Sequence, residues 1–328
     1  TGGTKPNLLT KSVNNLGAET HIHYAPSTKY YVEDKRAGTP WVTRLPFVVH
    51  VVERVETFDR IGRSRFTSCY TYHHGYFDGH EREFRGFGRV DQYDTEQFAT
   101  LASSDEFPSG ANVEASSHVP PVLTKTWFHT GAPPSRGDGD HADQQYAHEY
   151  FREPGLPEHE ARALLVEPTP LPSGLTDDER REACRALRGS VLRQEIYGLD
   201  GGDKQSLPYV VTERNFGLRR LQPRGENPHS VFLRIEGEEV AYQYDRAQVA
   251  VRGGDIVDDA AIGKSELRLD PRVTHSLALE IDTFGNVTKS ASIGYGRRFR
   301  DRTLPSEVQV EQAKAHLTYS ETRVTNPV

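Results

Sequence analysis

Residues Tyr72–Gly88 read YHHGYFDGHEREFRGFG, and this stretch decides the fold class. Aromatic and β-branched residues lead from Ser64 through His74 to Asp78-Gly79, and a second run leads away from Glu81 to Tyr93. An acidic residue followed by Gly between two such runs is hairpin chemistry: Asp accepts backbone hydrogen bonds, and Gly takes the left-handed conformation of a tight turn. Gly86 and Gly88 interrupt the outgoing strand and predict a bulge or tight bend there.

The same grammar recurs at Asn15-Leu16-Gly17, Leu199-Asp200-Gly201 and Asp282-Thr283-Phe284-Gly285-Asn286. Residues 7–33 read as a hairpin followed by a short strand at Tyr30-Tyr31-Val32. Residues 45–57 are a β-branched strand, buried on both faces at its start and half exposed later. Further strands are expected at 124–129, 190–198, 208–223, 228–233, 239–246, 274–281, 286–296 and 315–320. Helices are confined to the middle. A short one is expected at 142–152, and another opens at Pro157. A third opens on Thr176-Asp177-Asp178-Glu179, a capping box, and runs to Arg188 before Gly189. Residues 131–140 and 252–271 read as loops, and the stretch after 297 as polar. The expected fold is mainly β: a curved antiparallel hairpin-repeat sheet with a helical insert around 142–188. Its segments are 1–125, 126–300 and 301–328.

Composition limits the function. The 328 residues carry 40 basic and 47 acidic side chains, a net charge of −7, so no basic field for nucleic acid exists. No apolar run approaches the roughly 18–20 residues of a membrane helix. The chain has no Met, position 1 included, which predicts a segment of a longer polypeptide. Cys69 and Cys184 form no disulfide framework; Cys69 is expected in a strand and Cys184 on the inner face of a helix.

Constellations with possible chemistry read as structural. His21 and His23 share a strand face with Glu19, a solvated polar face lacking a third metal ligand. His73-His74 suits packing. His141 and His148 lack a His-Glu-x-x-His pattern. Asp138-Gly139-Asp140 lacks the later ligands of a calcium loop, and Arg136-Gly137-Asp138 is an adhesion-like string of the kind that arises by chance. Asp59, Asp78, Asp91, Asp94, Asp200 and Asp282 sit mostly in turn positions, although a facing pair would permit glycoside hydrolysis. Tyr70, Tyr72, Tyr76, Phe77, Phe84 and Phe87 form a cross-strand ladder, worth about 0.2–1 kcal/mol per pair, rather than a stacking platform. No catalytic, cofactor-binding or metal-binding residue is assigned and no cofactor is expected. Arg54, Arg82, Arg85, Arg89, Glu81 and Glu83 are candidates for one charged face of the sheet.

Longer strings carry a resemblance. They are Asn15–Thr20 through Tyr24–Lys29, Pro40–Phe47, Tyr72–Gly79 through Glu83–Gly88, Leu192–Tyr197, Leu221–Gly225 and Asp282–Val287. Together they resemble the middle region of the B component of bacterial Tc (ABC-type) insecticidal toxin complexes. Those proteins also carry a Salmonella-virulence-plasmid-B-like domain and have Rhs/YD-repeat relatives. The resemblance implies a secreted, non-enzymatic segment of a hollow β-shell. The shell encloses the cytotoxic part of the C component and docks on the channel-forming A component. The resemblance implies no membrane contact by this segment. The self-cleaving aspartate site of such assemblies belongs to the C component, so nothing catalytic carries over. The rival readings are a secreted carbohydrate-binding or glycoside-hydrolysing β-protein and a cell-surface adhesion module.

Overall fold

A computed structural model describes residues 5–62, 64–95, 120–133, 142–258, 263, 266–323 and 325. Strands take 45% and helices 14%, so the chain is mainly β as expected. The contacts divide it into two compact units: residues 1–125 with 196–205, and residues 126–195 with 206–328.

The first unit opens with the hairpin β1 (Lys11–Val13) and β2 (Ala18–Pro26), then α1 (Ser27–Ala37), β3 (His50–Asp59), β4 (Ser64–Asp78) and β5 (Glu83–Thr95). Helix α1 replaces the short strand expected at Tyr30-Tyr31-Val32. The β propensity of those residues is overridden by both helix ends and by packing. Pro26 enters in an extended conformation, Gly38 closes the helix at φ 81°, and Lys35 and Arg36 complement the C-terminal dipole. Tyr30, 2% exposed, packs with Ala25 and Val51, and its hydroxyl donates to the Tyr70 carbonyl at 3.1 Å.

Strand β3 begins only at His50, and its burial runs opposite to expectation. Phe47 and Val48 are exposed, whereas Glu56 and Phe58 are buried. Residues 39–49 instead form a strap over β4 and β5. Thr43 Oγ1 donates to the Gly75 carbonyl, Phe77 N–H donates to the Arg44 carbonyl, and Trp41 meets Phe87 edge-on. Gly75 leaves the room this needs, since a Cβ there would lie 2.8 Å from both Leu45 and Trp41 side chains. The bulge expected near Gly86 is present. Tyr76 faces Gly86 but Phe77 faces Phe84, which leaves Arg85 unopposed, and Gly86 has φ 98°.

Two strands, β6 (Val122–Phe128) and β7 (Val191–Gly198), flank the helical insert. The insert holds a 3-10 helix (Ala142–Glu149), α2 (Glu158–Ala163) and α3 (Asp177–Ala186). The α3 capping box forms in both directions. Glu179 also accepts from Arg224 N–H and Arg220, and these bonds, led by those from the Arg224 and Thr176 backbone, pull its carboxyl down to about 2. The inner face of α3 holds Ala183, Cys184 and Leu187, all at most 1% exposed. The helix stops at Ala186, two residues early, on a C-cap at Leu187. Cys69 lies in β4 and is half-buried, and neither cysteine is in a disulfide.

The rest of the second unit is β8 (Val210–Gln222), β9 (Val231–Gln243), β10 (Gln248–Arg252), β11 (Asp255–Ile256), β12 (Leu267–Leu269), β13 (Arg272–Ile281), β14 (Val287–Gly294), β15 (Arg300–Asp301), α4 (Ser306–Gln312) and β16 (His316–Glu321). The two strands expected at 228–233 and 239–246 are one, β9. Its charged centre, Glu236-Gly237-Glu238-Glu239, hides the continuity, and Gly237 is where Asn215 crosses close by. Residues 252–271 are not purely loop, because β10 pairs with both β11 and β12. Helix α4 falls in the polar stretch after 297, outside the middle region to which helices were expected to be confined. The large antiparallel sheet of 12 strands runs β1 to β9 in chain order, then β13, β14 and β16, and is not closed into a barrel. The small sheet runs β12-β10-β11-β15.

Two substitutions test these local arguments by urea unfolding. Thr176→Ala should cost about 1 kcal/mol through loss of the cap, while Thr176→Ser should be near neutral. Gly237→Ala should cost about 1–3 kcal/mol, because its Cβ would sit 2.5 Å from Asn215 Oδ1; a neutral result would contradict the close-approach argument.

Candidate functional site

The second unit's sheet has two unlike faces, and the registers fix which residues share each. On one face lie four rows: Val210, Gln243 and Arg272; then Thr212, Ala241, Thr274, Gly294 and His316; then Arg214, Glu239, Ser276, Ser292 and Thr318; then Ala278, Ser290 and Ser320. The last three rows contain no large apolar side chain. Arg214 pairs within the face, its Nε 2.6 Å from Glu239 Oε2, and Arg272 at the border pairs with Asp245 at 2.9 Å. The result is a hydroxyl-rich surface up to five strands wide.

The opposite face is apolar and holds the core. Val211, Val240, Tyr242, Tyr244 and Leu269 cluster there, and Trp127, Tyr146, Tyr150, Leu187 and Phe216 form a second cluster. Residues 146–169 cover this face around a cavity of about 460 Å³. The cover is fastened by charge. Arg193 Nε donates to Glu195 Oε1 at 2.7 Å, Nη1 to Glu213 Oε2 at 2.9 Å, and Nη2 to the Phe151 carbonyl. Phe151 N–H donates back to Glu195. Glu153 accepts from Tyr244 Oη and Arg298 Nη1 at 2.9 and 2.7 Å. Burial pushes the Glu213 carboxyl up to about 7 against the pull of Arg193. Burial opposes the Arg193 charge, yet Glu213 and Glu195 hold it above its ordinary value.

The first unit buries charge as well. Glu56, 1% exposed, binds Arg65 and, at 2.8 Å, His23. Burial works against its charge, but Arg65 and His23 hold the carboxyl below the usual range. Asp34 accepts from Trp41 Nε1 at 2.6 Å and meets His73 Nδ1 at 2.7 Å. The solvated face expected for His21 and His23 is therefore half-buried: His21 lies 3.7 Å from Glu19, which is 8% exposed. His74 is buried in packing and accepts from Val42 N–H.

The six charged candidates do not form one exposed face. Arg85, 3% exposed, is ion-paired to Asp78 at 2.8 Å, Arg89 is held by Asp91, and Arg54 lies by Glu56. A charged residue within a strand looks solvent-facing until its cross-strand partner is known. Asp59, Asp78, Asp200 and Asp282 each accept the backbone N–H two residues on, as turn chemistry requires. Asp91 and Asp94 instead pair with side chains. The aromatics pack as a ladder, with Tyr72–Phe87 centroids at 4.9 Å and Phe84–Phe87 at 5.6 Å. Arg136, Asp138, Asp140 and His141 lie outside the described residues. Among the described residues, no group of three or more His, Cys, Asp or Glu is placed to hold a metal ion, and no helix is long and apolar enough to cross a membrane. Glu195 and Glu213 are brought together, but both are sealed and share one guanidinium, whereas a glycosidase pair must reach its substrate.

These features define a class: an antiparallel hairpin scaffold held by buried ion pairs, with one hydroxyl-rich face that carries a depression of about 410 Å³ lined by Arg214, Ser276, Ser290, Ser292 and Thr318. Models of the insecticide toxin TcdB middle region match most of the chain, the N-terminal part over residues 2–131 and the C-terminal part over 182–252 and 265–326. The chain belongs to this family and is a middle region of a Tc toxin B component. It is similar to a crystal structure of TcdB2-TccC3 without its hypervariable C-terminal region, at 28% identity and a TM-score of 0.71, covering 98% of this chain and 14% of that one. A TcdB2-TccC3-Cdc42 crystal structure matches at 28% identity and a TM-score of 0.69, covering 97% and 14%. A Photorhabdus luminescens Tc holotoxin pore matches at 28% identity and a TM-score of 0.67, also covering 97% and 14%. The chain thus spans 14% of the length of these relatives. No functionally curated protein matches it.

Removing one partner of a buried pair strands the other, so Arg85→Met should cost about 3–5 kcal/mol in urea unfolding. Adding Asp78→Asn, which keeps the turn acceptor, should recover a large part of that loss. Equal costs for single and double variants would show that the pair is not the source.

Proposed function

We propose that this segment is a non-catalytic stretch of the wall of a secreted toxin-complex shell. The shell encloses a cytotoxic C-component partner and delivers it through a channel-forming A component. In this reading residues 1–125 and 126–300 are successive wall segments, and 301–328 begin the strands that follow. The family membership supports it, as does the presence of TccC3 beside TcdB2 in the similar structures.

The observation that carries the proposal is the hydroxyl-rich face. A wall around an unfolded guest must present a surface that does not capture it. Apolar patches bind unfolded chains, and unpaired charges bind their complements. Rows of Ser, Thr, Ala and Gly, with His316 at one edge and a self-closed Arg214–Glu239 pair, do neither. Over β8 and β9 the apolar face is taken up by the core and by residues 146–169, while Leu317 and Tyr319 of β16 stay exposed on it, and we assign the hydroxyl face to the lumen. Strand β16 fits a continuing wall: all six of its residues are exposed, it ends the strand order, and Leu317 and Tyr319 are 66% and 51% exposed.

A thiol reporter tests this. Ser292→Cys in a Cys69→Ser background should react rapidly with a bulky maleimide in the isolated segment. In the full B polypeptide assembled with its C partner it should be protected by tenfold or more. Equal reactivity in both would sink the lumenal assignment.

A further inference from the structure

Strand β16 ends the strand order of the large sheet, and its residues His316–Glu321 are all exposed. Its pairing with β14 is regular, running from Gly294 opposite His316 to Lys289 opposite Glu321. Sheet edges are commonly guarded by Lys, Pro, a bulge or shortness. Strand β1, at the other end of the strand order, is three residues long and carries Lys11. Strand β16 has none of these guards.

The ladder fixes which backbone groups point outward. Thr322 N–H donates to the Thr288 carbonyl at 2.8 Å, so these two residues form a hydrogen-bonded pair. Hydrogen-bonded and non-hydrogen-bonded pairs alternate along an antiparallel ladder. Ser320, Thr318 and His316 therefore bond to β14, whereas Leu317, Tyr319 and Glu321 turn their N–H and C=O groups to the open edge. The side chains alternate too. His316, Thr318 and Ser320 lie on the hydroxyl face, and Leu317 and Tyr319 lie on the other. There they extend an apolar strip, with Leu317 beside Ile293 and Tyr319 beside Ala291.

Such an edge accepts an antiparallel strand, and its own sequence supplies one. In a two-fold pairing of β16 with itself, opposed residues must share a face, so the axis passes through a residue. With the axis at Thr318, Leu317 faces Tyr319 of the second copy and Tyr319 faces its Leu317. Both are hydrogen-bonded pairs, each exchanging two backbone bonds through the outward-pointing groups. On the hydroxyl face Thr318 meets Thr318, and His316 meets Ser320, so no like charges are opposed. An axis at Tyr319 would set Leu317 against Glu321, and an axis at Leu317 would set Tyr319 against Ala315. Only the Thr318 register pairs both apolar side chains.

We propose that the 328-residue chain forms a two-fold dimer through β16, with Thr318 on the axis and each copy covering the other's open edge. The ladder then runs from one copy into the next, and Leu317 and Tyr319 are buried against each other. One strand edge is a small interface, under roughly 1,200 Å², so the dimer depends on concentration. This inference does not rest on the shell reading.

Sedimentation of the whole chain from about 1 to about 200 μM spans the range in which so small an interface assembles. The chain should pass from monomer to dimer. Leu317→Lys, a guarding charge at a side chain that is 66% exposed, should weaken dimerisation tenfold or more. A thiol reports the register. In a Cys69→Ser background, Thr318→Cys faces its own copy in a non-hydrogen-bonded pair, with Cα atoms about 4.5 Å apart, a separation a disulfide spans. Mild oxidation should link Thr318→Cys into a covalent dimer at least tenfold faster than Ser320→Cys, whose position faces His316. A monomer at every concentration, open-ended oligomers, a dimer that survives Leu317→Lys, or equal linking at 318 and 320 would overturn the proposal.

Discussion

Burying Arg193 constrains the second unit more than any other single interaction. Its five N–H donors in a fixed fork cannot be left unmet in the interior. They reach Glu195 on its own strand, Glu213 on the next and the Phe151 carbonyl of the cover. One side chain thereby sets the β7–β8 register, seats the insert and shields the apolar face beneath. Moving β8 by one residue would send Glu213 to the opposite face and leave the guanidinium half-paired. Such a cluster adds little net stability compared with well-packed apolar residues of the same volume. What it supplies is a unique arrangement. The first unit uses the same device at Glu56–Arg65 and at Asp78–Arg85.

The unlike faces follow from that arrangement. With core and cover on one side, the other side is relieved of packing, and its strands can carry small hydroxylated residues without loss of the core. Ser276, Ser292 and Thr318 stand in one row across β13, β14 and β16, in register through the ladder. A surface of that kind suits enclosure better than recognition.

Much of the architecture was legible in the residues. The Asx turns, the bulge at Gly86, the capping box at Thr176 and the inner face bearing Cys184 all rest on short-range chemistry, and each is present, although in the Asp78 turn the left-handed residue is Arg82, at φ 53°, and not Gly79. Features settled at long range were not legible. Tyr30 reads as strand until its packing partners Ala25 and Val51 are known. Strand β9 reads as two because Glu236, Glu238 and Glu239 mask its continuity. Arg85 reads as surface charge, since nothing local says that Asp78 will lie beside it, and nothing local marks Arg193 as buried against Glu213. The hydroxyl face was equally hidden, because it exists only once five strands are in register.

The central claim is that this hairpin scaffold is wall, with its hydroxyl face turned inward. The most direct measurement is a cryo-electron microscopy map of the full B polypeptide assembled with its C partner. The account predicts the strands of the large sheet as wall, with Ser276, Ser292 and Thr318 facing the enclosed density and residues 146–169 outside. A map that places this segment off the shell, or turns that row of hydroxyls to solvent, would contradict it.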